Sequence, residues 1–191
     1  MSIQWSAPLF TFGCDCCKPC DVCVMATFCP GAMYANNSRM LETGIPTDAC
    51  DWSCQGEGWW MRCLNVECCQ LAIVLSAEIP LAGNAIQIIF AHLLASCTRG
   101  VRVKTARKYG INTTALGDQL CGGCEYNCIL CKPGHGCSIC GCENGEEMVA
   151  HDSHCCCFCC SLIQEHKTHT AFLVPKAVNA PPTQDYGMSR T

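Results

Sequence analysis

Two neighbouring stretches of the chain repeat apolar residues with a helical period. Between Trp59 and Ala77, the residues Trp60, Leu64, Cys68, Leu71 and Leu75 recur at steps of three and four, which places them on one stripe of a helix. Pro80 and Gly83, within the segment 78–84, then disfavour helix continuation. A second helix is predicted from about Ala85 to Lys108. Residues 79–98 contain no Asp, Glu, Lys or Arg. A helix of that length rises about 30 Å, the thickness of a bilayer's hydrocarbon core. The expectation is a helical hairpin over about 59–108 with a Pro/Gly/Asn tip.

The two ends of that hairpin suggest how it would sit. Trp59 and Trp60 stand at one open end, and Arg99, Arg102, Lys104, Arg107 and Lys108 follow the other. Tryptophan favours membrane interfaces and lysine and arginine the cytoplasmic side, so both ends are expected at the cytoplasmic face of a membrane. Gln70, Glu78, Asn84, Gln87 and His92 argue the other way, for a buried helix pair within a soluble bundle. Glu78 at the tip is either a candidate ion-pathway residue, because a carboxylate in lipid is costly, or a solvated turn residue.

Outside the hairpin the pattern is less regular. Residues 1–37 combine an aromatic lead (Trp5, Phe10, Phe12) with a cysteine cluster. Residues 38–58 are rich in turn formers and are expected to be a loop. A closing helix is predicted to start near Asp152 or Ser153, either of which could cap it. On it, His151, Cys155, Cys159, Leu162, His166 and His169 would share one face. That face is either a soft-metal face or a small-residue packing face. Residues 170–191 hold prolines without an apolar period and are expected to be a disordered tail. The fold class expected is mainly α, small and cysteine-rich, with one domain over 1–169 and an inserted, irregular CxxC module over 121–150.

Composition narrows the chemistry. Charged residues make up 15% of the chain, against roughly 25% in an average soluble domain, which favours membrane association. The net charge of −4 argues against nucleic acid as a partner. Twenty-four of 191 residues are cysteine. The opening residues lack a basic n-region and a small-residue cleavage site, so no export is expected. The thiols should then stay reduced.

The strongest local motif is CGGCEYNCILCKPGHGCSICGC, with CxxC pairs Cys121/Cys124, Cys128/Cys131 and Cys137/Cys140, and with Cys142 and His135 nearby. A CxxC turn aims two thiolates at one ion, and two such turns complete a tetrahedral zinc site. Zinc is therefore the expected cofactor. Cys121, Cys124, Cys137 and Cys140 are its first candidate ligands, and Cys128, Cys131 and Cys142 its further ones. Adjacent cysteines near a membrane are also candidates for S-palmitoylation. Cys17-Lys18-Pro19-Cys20 has the spacing of a redox pair but lacks the flanking strand and helix pattern. GxSxG, HExxH and a phosphate-cradling glycine loop are all missing, so the expectation is a protein that is not an enzyme.

Several of these features together resemble the cysteine-rich family of placenta-specific gene 8, cornifelin and the plant cadmium-resistance and cell-number-regulator proteins. The opening Trp5-Ser6-x-Pro8-Leu9-Phe10-x-Phe12-Gly13-Cys14 is similar to its Trp-to-Cys start, and Cys23-Val-Met-Ala-Thr-Phe-Cys29-Pro30 to its Cys-Pro signature. The family commonly carries a second Cys after that proline, where this chain has Gly31. The basic stretch from Arg102 to Ile111 resembles that after the family's hydrophobic segment. His154-Cys155-Cys156-Cys157-Phe158-Cys159-Cys160, running on to Gln164-Glu165, resembles its closing helix. Residues 121–150 look like an insertion into that pattern.

The resemblance implies a small, helical membrane protein linked to heavy-metal resistance and ion movement, to cell proliferation or to cornified-envelope structure. The expected function is the handling of heavy-metal or divalent cations at a membrane, the plasma membrane with the cysteine clusters facing the cytosol. Binding, efflux and permeation through self-associated hairpins all fit that expectation. The alternatives are a non-transporting, zinc-structured regulatory scaffold and, last, a thiol oxidoreductase.

Overall fold

The computed structural model describes residues 5, 20–51, 58–79, 83–111, 135–137 and 141–178. The backbone there is mainly helical. Helix α1 spans Cys20–Phe28 and α2 Pro30–Thr43; α3 spans Trp59–Ser76 and α4 Gly83–Tyr109. Two short strands follow, β1 (His135–Cys137) and β2 (Cys142–Asn144), before the last helix, α5 (Gly145–Val178).

The Cys29-Pro30 signature is a helix junction. Cys29 leaves helical geometry (φ −138°, ψ 55°), and Pro30 opens α2. Proline suits that position because the first helical N–H has no intrahelical partner to lose. The left-handed Gly44 (φ 69°) ends α2, its N–H reaching the Met40 carbonyl at 3.0 Å. Residues 38–43 therefore lie in α2 and not in the loop that their composition suggests. Asn36 and Asn37 are usually poor helix residues because their side chains compete for the backbone. Here both are buried and spent elsewhere. Asn36 accepts from Trp59 Nε1 at 3.0 Å and donates to the Asp51 carbonyl at 3.1 Å, while Asn37 donates to the Leu162 carbonyl at 3.0 Å.

Where the resembling family has its second cysteine, Gly31 lets α2 and α3 touch. Its N–H donates to Glu67 Oε1 at 2.8 Å. A Cβ there would collide with the Cys63 carbonyl oxygen and stand 2.7 Å from Glu67 Cγ. The main core joins Val22 and Met25 of α1, Met33 of α2, Trp59 and Val66 of α3, Leu94 of α4, and Phe158 and Leu162 of α5. A second, smaller core packs Trp5, Ala106, Tyr109 and Ile111, with Phe172 stacked on Tyr109 at 4.4 Å between ring centroids.

Helix α3 departs from the sequence expectation in which face it buries. Trp59, Cys63, Val66 and Ser76 turn inward. The stripe of Trp60, Leu64, Cys68, Leu71 and Leu75 faces outward, with Leu71 58% exposed. Of the two tryptophans, only Trp60 remains outside. Glu78 is exposed in the turn after α3. No helix among the described residues is long and apolar enough to cross a membrane.

Helix α5 also differs from the expected closing helix. It begins at Gly145, with Asn144 Oδ1 accepting the Glu147 N–H at 3.0 Å, so Asp152 and Ser153 lie inside it. It extends to Val178, past the boundary at 170 expected for a disordered tail. Residues 179–191 lie outside the described residues.

The helix is bent at Cys157, whose φ −151° and ψ 62° are not helical. Ser161 Oγ donates to the Ser153 carbonyl at 2.9 Å, and His154 Nε2 lies 2.8 Å from Glu165. Eleven residues of straight helix would span about 16 Å, so the corner must fold one arm of α5 back onto the other.

Candidate functional site

The corner of α5 and one face of α4 enclose a buried polar cluster. Thr98, Arg102, Thr105 and Tyr109 are spaced four, three and four residues apart, so α4 presents them on one stripe. All four are buried. Opposite them, α5 brings His154 from before the corner and Gln164, Glu165 and His169 from after it.

Arg102 holds the centre. Its side chain is 2% exposed and that of Glu165 fully buried, with Nη1 3.4 Å from Glu165 Oε1. Arg102 Nη2 donates to Gln164 Oε1, and the guanidinium carbon stands 4.2 Å from the centroid of the Trp5 ring. Burial alone pulls the guanidinium pKa down, and Glu165 pushes it back. Desolvation raises the Glu165 carboxyl, but the hydrogen bond from His154 and the Arg102 guanidinium outweigh it and hold the group ionised below the usual carboxylate range. The second carboxylate oxygen, Glu165 Oε2, is buried without a hydrogen-bond partner among the described residues.

The histidines around this pair are held neutral by burial. His154 is lowered mainly by desolvation, with Glu165 opposing. In the neutral form its Nε2–H donates to Glu165 at 2.8 Å, and its Nδ1 lies 2.8 Å from the Thr98 hydroxyl, which also reaches the Leu94 carbonyl at 2.7 Å. His169 is pushed down to about 4 by burial. One chain of hydrogen bonds satisfies its neutral form. Tyr109 O–H donates to Nδ1 at 3.0 Å, His169 Nε2–H donates to Thr105 Oγ1 at 3.2 Å, and Thr105 donates to the Val101 carbonyl at 2.8 Å. His166, also pushed down to about 4 by burial, donates Nδ1–H to Asn37 Oδ1 at 3.2 Å. The His/Cys stripe read from the sequence is therefore broken by the corner, and His166 and His169 are committed to α2 and α4.

The basic run is similarly occupied. Arg107 pairs with Glu146 at 2.9 Å, Arg99 reaches the Gly141 carbonyl and Cys142 Sγ, and Lys108 reaches the Leu41 carbonyl. Together with buried Arg102, these contacts make Arg99, Arg107 and Lys108 a clasp for α2, β2 and α5, while Lys104 is exposed.

The cysteines expected as ligands fall into three groups. Cys14, Cys121, Cys124, Cys128, Cys131 and Cys140 lie outside the described residues, as does the side chain of Cys156. In the inserted module, β1 and β2 pair antiparallel with Cys137 opposite Cys142, and Gly141 turns left-handed at φ 63°. Cys142 is buried against Arg99. The remaining expected cysteines, Cys23, Cys29, Cys155, Cys159 and Cys160, are half-buried. Pro30 and Gln164 are buried within the helices. Among the described residues no three His, Cys, Asp or Glu side chains are grouped to hold a metal ion.

The thiol of Cys29 is raised by burial and then by the neighbouring Glu67 and Cys50. This grouping of Cys29, Cys50 and Glu67 joins residues far apart in the chain and was not visible in their spacing. The polar stripe of α4 was not read from the sequence; its 4-3-4 spacing is the signal that could have found it, although its basic member reads equally as a membrane flank. Comparison with family models, curated proteins and solved structures gives no match for this chain.

Proposed function

We propose that this chain is a membrane-associated, cysteine-rich protein of the placenta-specific-8-like kind that captures heavy-metal or other soft divalent cations at the membrane surface. The observation that carries this reading is the outward apolar face of α3 and the first half of α4. Trp60, Leu64, Leu71, Leu75, Ile88 and Ile89 are each more than half exposed. A soluble monomer rarely leaves so many large apolar side chains of one helix pair in water. A helix pair with such a face lies in the plane of the membrane boundary, its apolar side in the acyl region. No crossing of the bilayer is needed.

Cation capture rests on the half-exposed thiols of α1 and the loop after α2. Burial, and then the neighbouring Glu67 and Cys50, raise the cost of ionising Cys29, and a dication would relieve that cost. Cadmium and zinc favour thiolate among the ligands available here. The full-length chain should therefore bind cadmium saturably, read as thiolate-to-metal absorption in the ultraviolet. The double variant Cys23→Ser/Cys29→Ser should bind on the order of tenfold more weakly or worse. Titrations that superimpose for the two proteins would remove the cation half of the proposal.

The alternative of a zinc-structured scaffold draws on one separate observation. The antiparallel strands set Cys137 opposite Cys142, Gly141 just before β2 is left-handed, and Arg99 fastens Cys142 to α4. Zinc would there be held by Cys137 and Cys140 with a CxxC pair from 121–131, and would supply folding energy alone.

A further inference from the structure

The corner of α5 carries two cysteines in a particular relation. Cys157 is the residue that leaves helical geometry, and the second arm of α5 starts immediately after it. That makes Cys157 the cap of the arm and Cys160 its third residue, the two positions whose side chains meet across a helix N-terminus. Cys160 therefore stands one turn from Cys157 at the start of the arm, and both are half-buried, so neither is sealed from solvent. A CxxC at a helix start, with one sulfur facing the positive end of the helix dipole, is an arrangement that activates a thiol. The polar cluster described above uses neither cysteine.

We propose that Cys157 and Cys160 are a dithiol switch that small-molecule disulfides oxidise, and that the disulfide locks the corner on which the His154–Glu165 contact depends. Cys160 is the attacking thiolate. It displaces one thiolate from the small disulfide and forms a mixed disulfide. Cys157 then gives its proton to solvent and attacks the sulfur of Cys160, expelling the second thiolate. Two electrons pass to the small disulfide, which leaves as two thiols, and one Cys157–Cys160 bond forms. The thiol of adjacent Cys159 is raised, first by burial and then by Cys160.

The geometry is accompanied by a shift in acidity. Cys160 is lowered to about 7, chiefly by the hydrogen bond from Cys157, while Cys157 is raised by the same bond. The alkylation rate of Cys160 should therefore climb through pH 7, below the range of an ordinary thiol. In Cys157→Ala that midpoint should move upward.

The test uses the full-length chain equilibrated in glutathione buffers of increasing oxidised fraction, alkylated, digested and weighed. The peptide containing residues 155–160 should lose two alkylation sites before the other thiols of the chain do. Cys159→Ser should behave like wild type. Cys157→Ser should stop at a glutathione adduct on Cys160, and Cys160→Ser should form neither adduct nor disulfide at this pair. Circular dichroism checks that each variant keeps its helices. The proposal is overturned if the 155–160 peptide oxidises only together with the bulk thiols. Loss of the two sites in Cys160→Ser as readily as in wild type would overturn it equally.

Discussion

Arg102→Met is expected to cost about 3–5 kcal/mol of stability, the usual penalty for stranding one partner of a buried ion pair. Arg102 and Glu165 are both sealed from water, and Glu165 already has one oxygen without a partner among the described residues. Removing the guanidinium leaves an ionised carboxylate facing neutral His154, with Gln164 also losing its donor. Typical domains have only about 5–15 kcal/mol in total, so the unfolding midpoint in urea should fall steeply.

The paired variant Arg102→Met/Glu165→Leu should recover much of the loss, because two apolar groups need no partner. Arg107→Met breaks an exposed pair, Arg107 being 60% exposed, and should cost no more than about 1 kcal/mol. Equal losses at 102 and 107 would show that the central cluster does not hold the fold.

Acid should unfold this chain well above the pH at which carboxylates protonate. His166 and His169 have an ordinary value of 6.5 and are held near 4 in the folded chain by burial. Between those values the unfolded chain binds protons that the folded chain refuses. The stability linked to these groups is complete above about 6.5 and drains away as the pH falls toward 4. At 1.36 kcal/mol per unit, each histidine contributes on the order of 3 kcal/mol across that window. His154 is shifted in the same direction. Urea midpoints measured from pH 7.5 to 4 should therefore drop sharply below 6.5. In His169→Gln the slope should be shallower, although the variant starts less stable. A midpoint flat across this range would mean that these histidines are not neutral in the fold.

Much of the helical framework was legible from the sequence because periodicity is local. Helix α3 runs Trp59–Ser76 against an expected 59–77, and α4 runs Gly83–Tyr109 against about 85–108. What periodicity could not tell was which side of α3 faces in. Trp59, Cys63 and Val66 follow steps of four and three just as Trp60, Leu64, Cys68, Leu71 and Leu75 do, and the choice between two apolar stripes is made by α2 and α4. The helical state of 38–43 depends on buried partners for Asn36 and Asn37 that come from other elements, one of them from Leu162.

The corner at Cys157 is not signalled by any Pro or Gly, so a continuous helical stripe was the natural reading. Likewise, Arg102 looks like its neighbours Arg99 and Lys104 in a basic run. Only Glu165, sixty-three residues on, distinguishes it. The site was thus legible in its residue types and hidden in its pairings.

The most direct test of the central claim is flotation of the full-length chain with neutral phosphatidylcholine vesicles in high salt, where charge attraction is screened. Burying a leucine side chain in an apolar phase contributes about 1.5–3 kcal/mol. Leu64, Leu71 and Leu75 together should therefore be decisive. Wild type is expected to float with the vesicles. Leu64→Glu/Leu71→Glu/Leu75→Glu should stay at the bottom with its helical circular dichroism intact. Folded wild type remaining at the bottom beside that variant would contradict membrane association through the α3–α4 face.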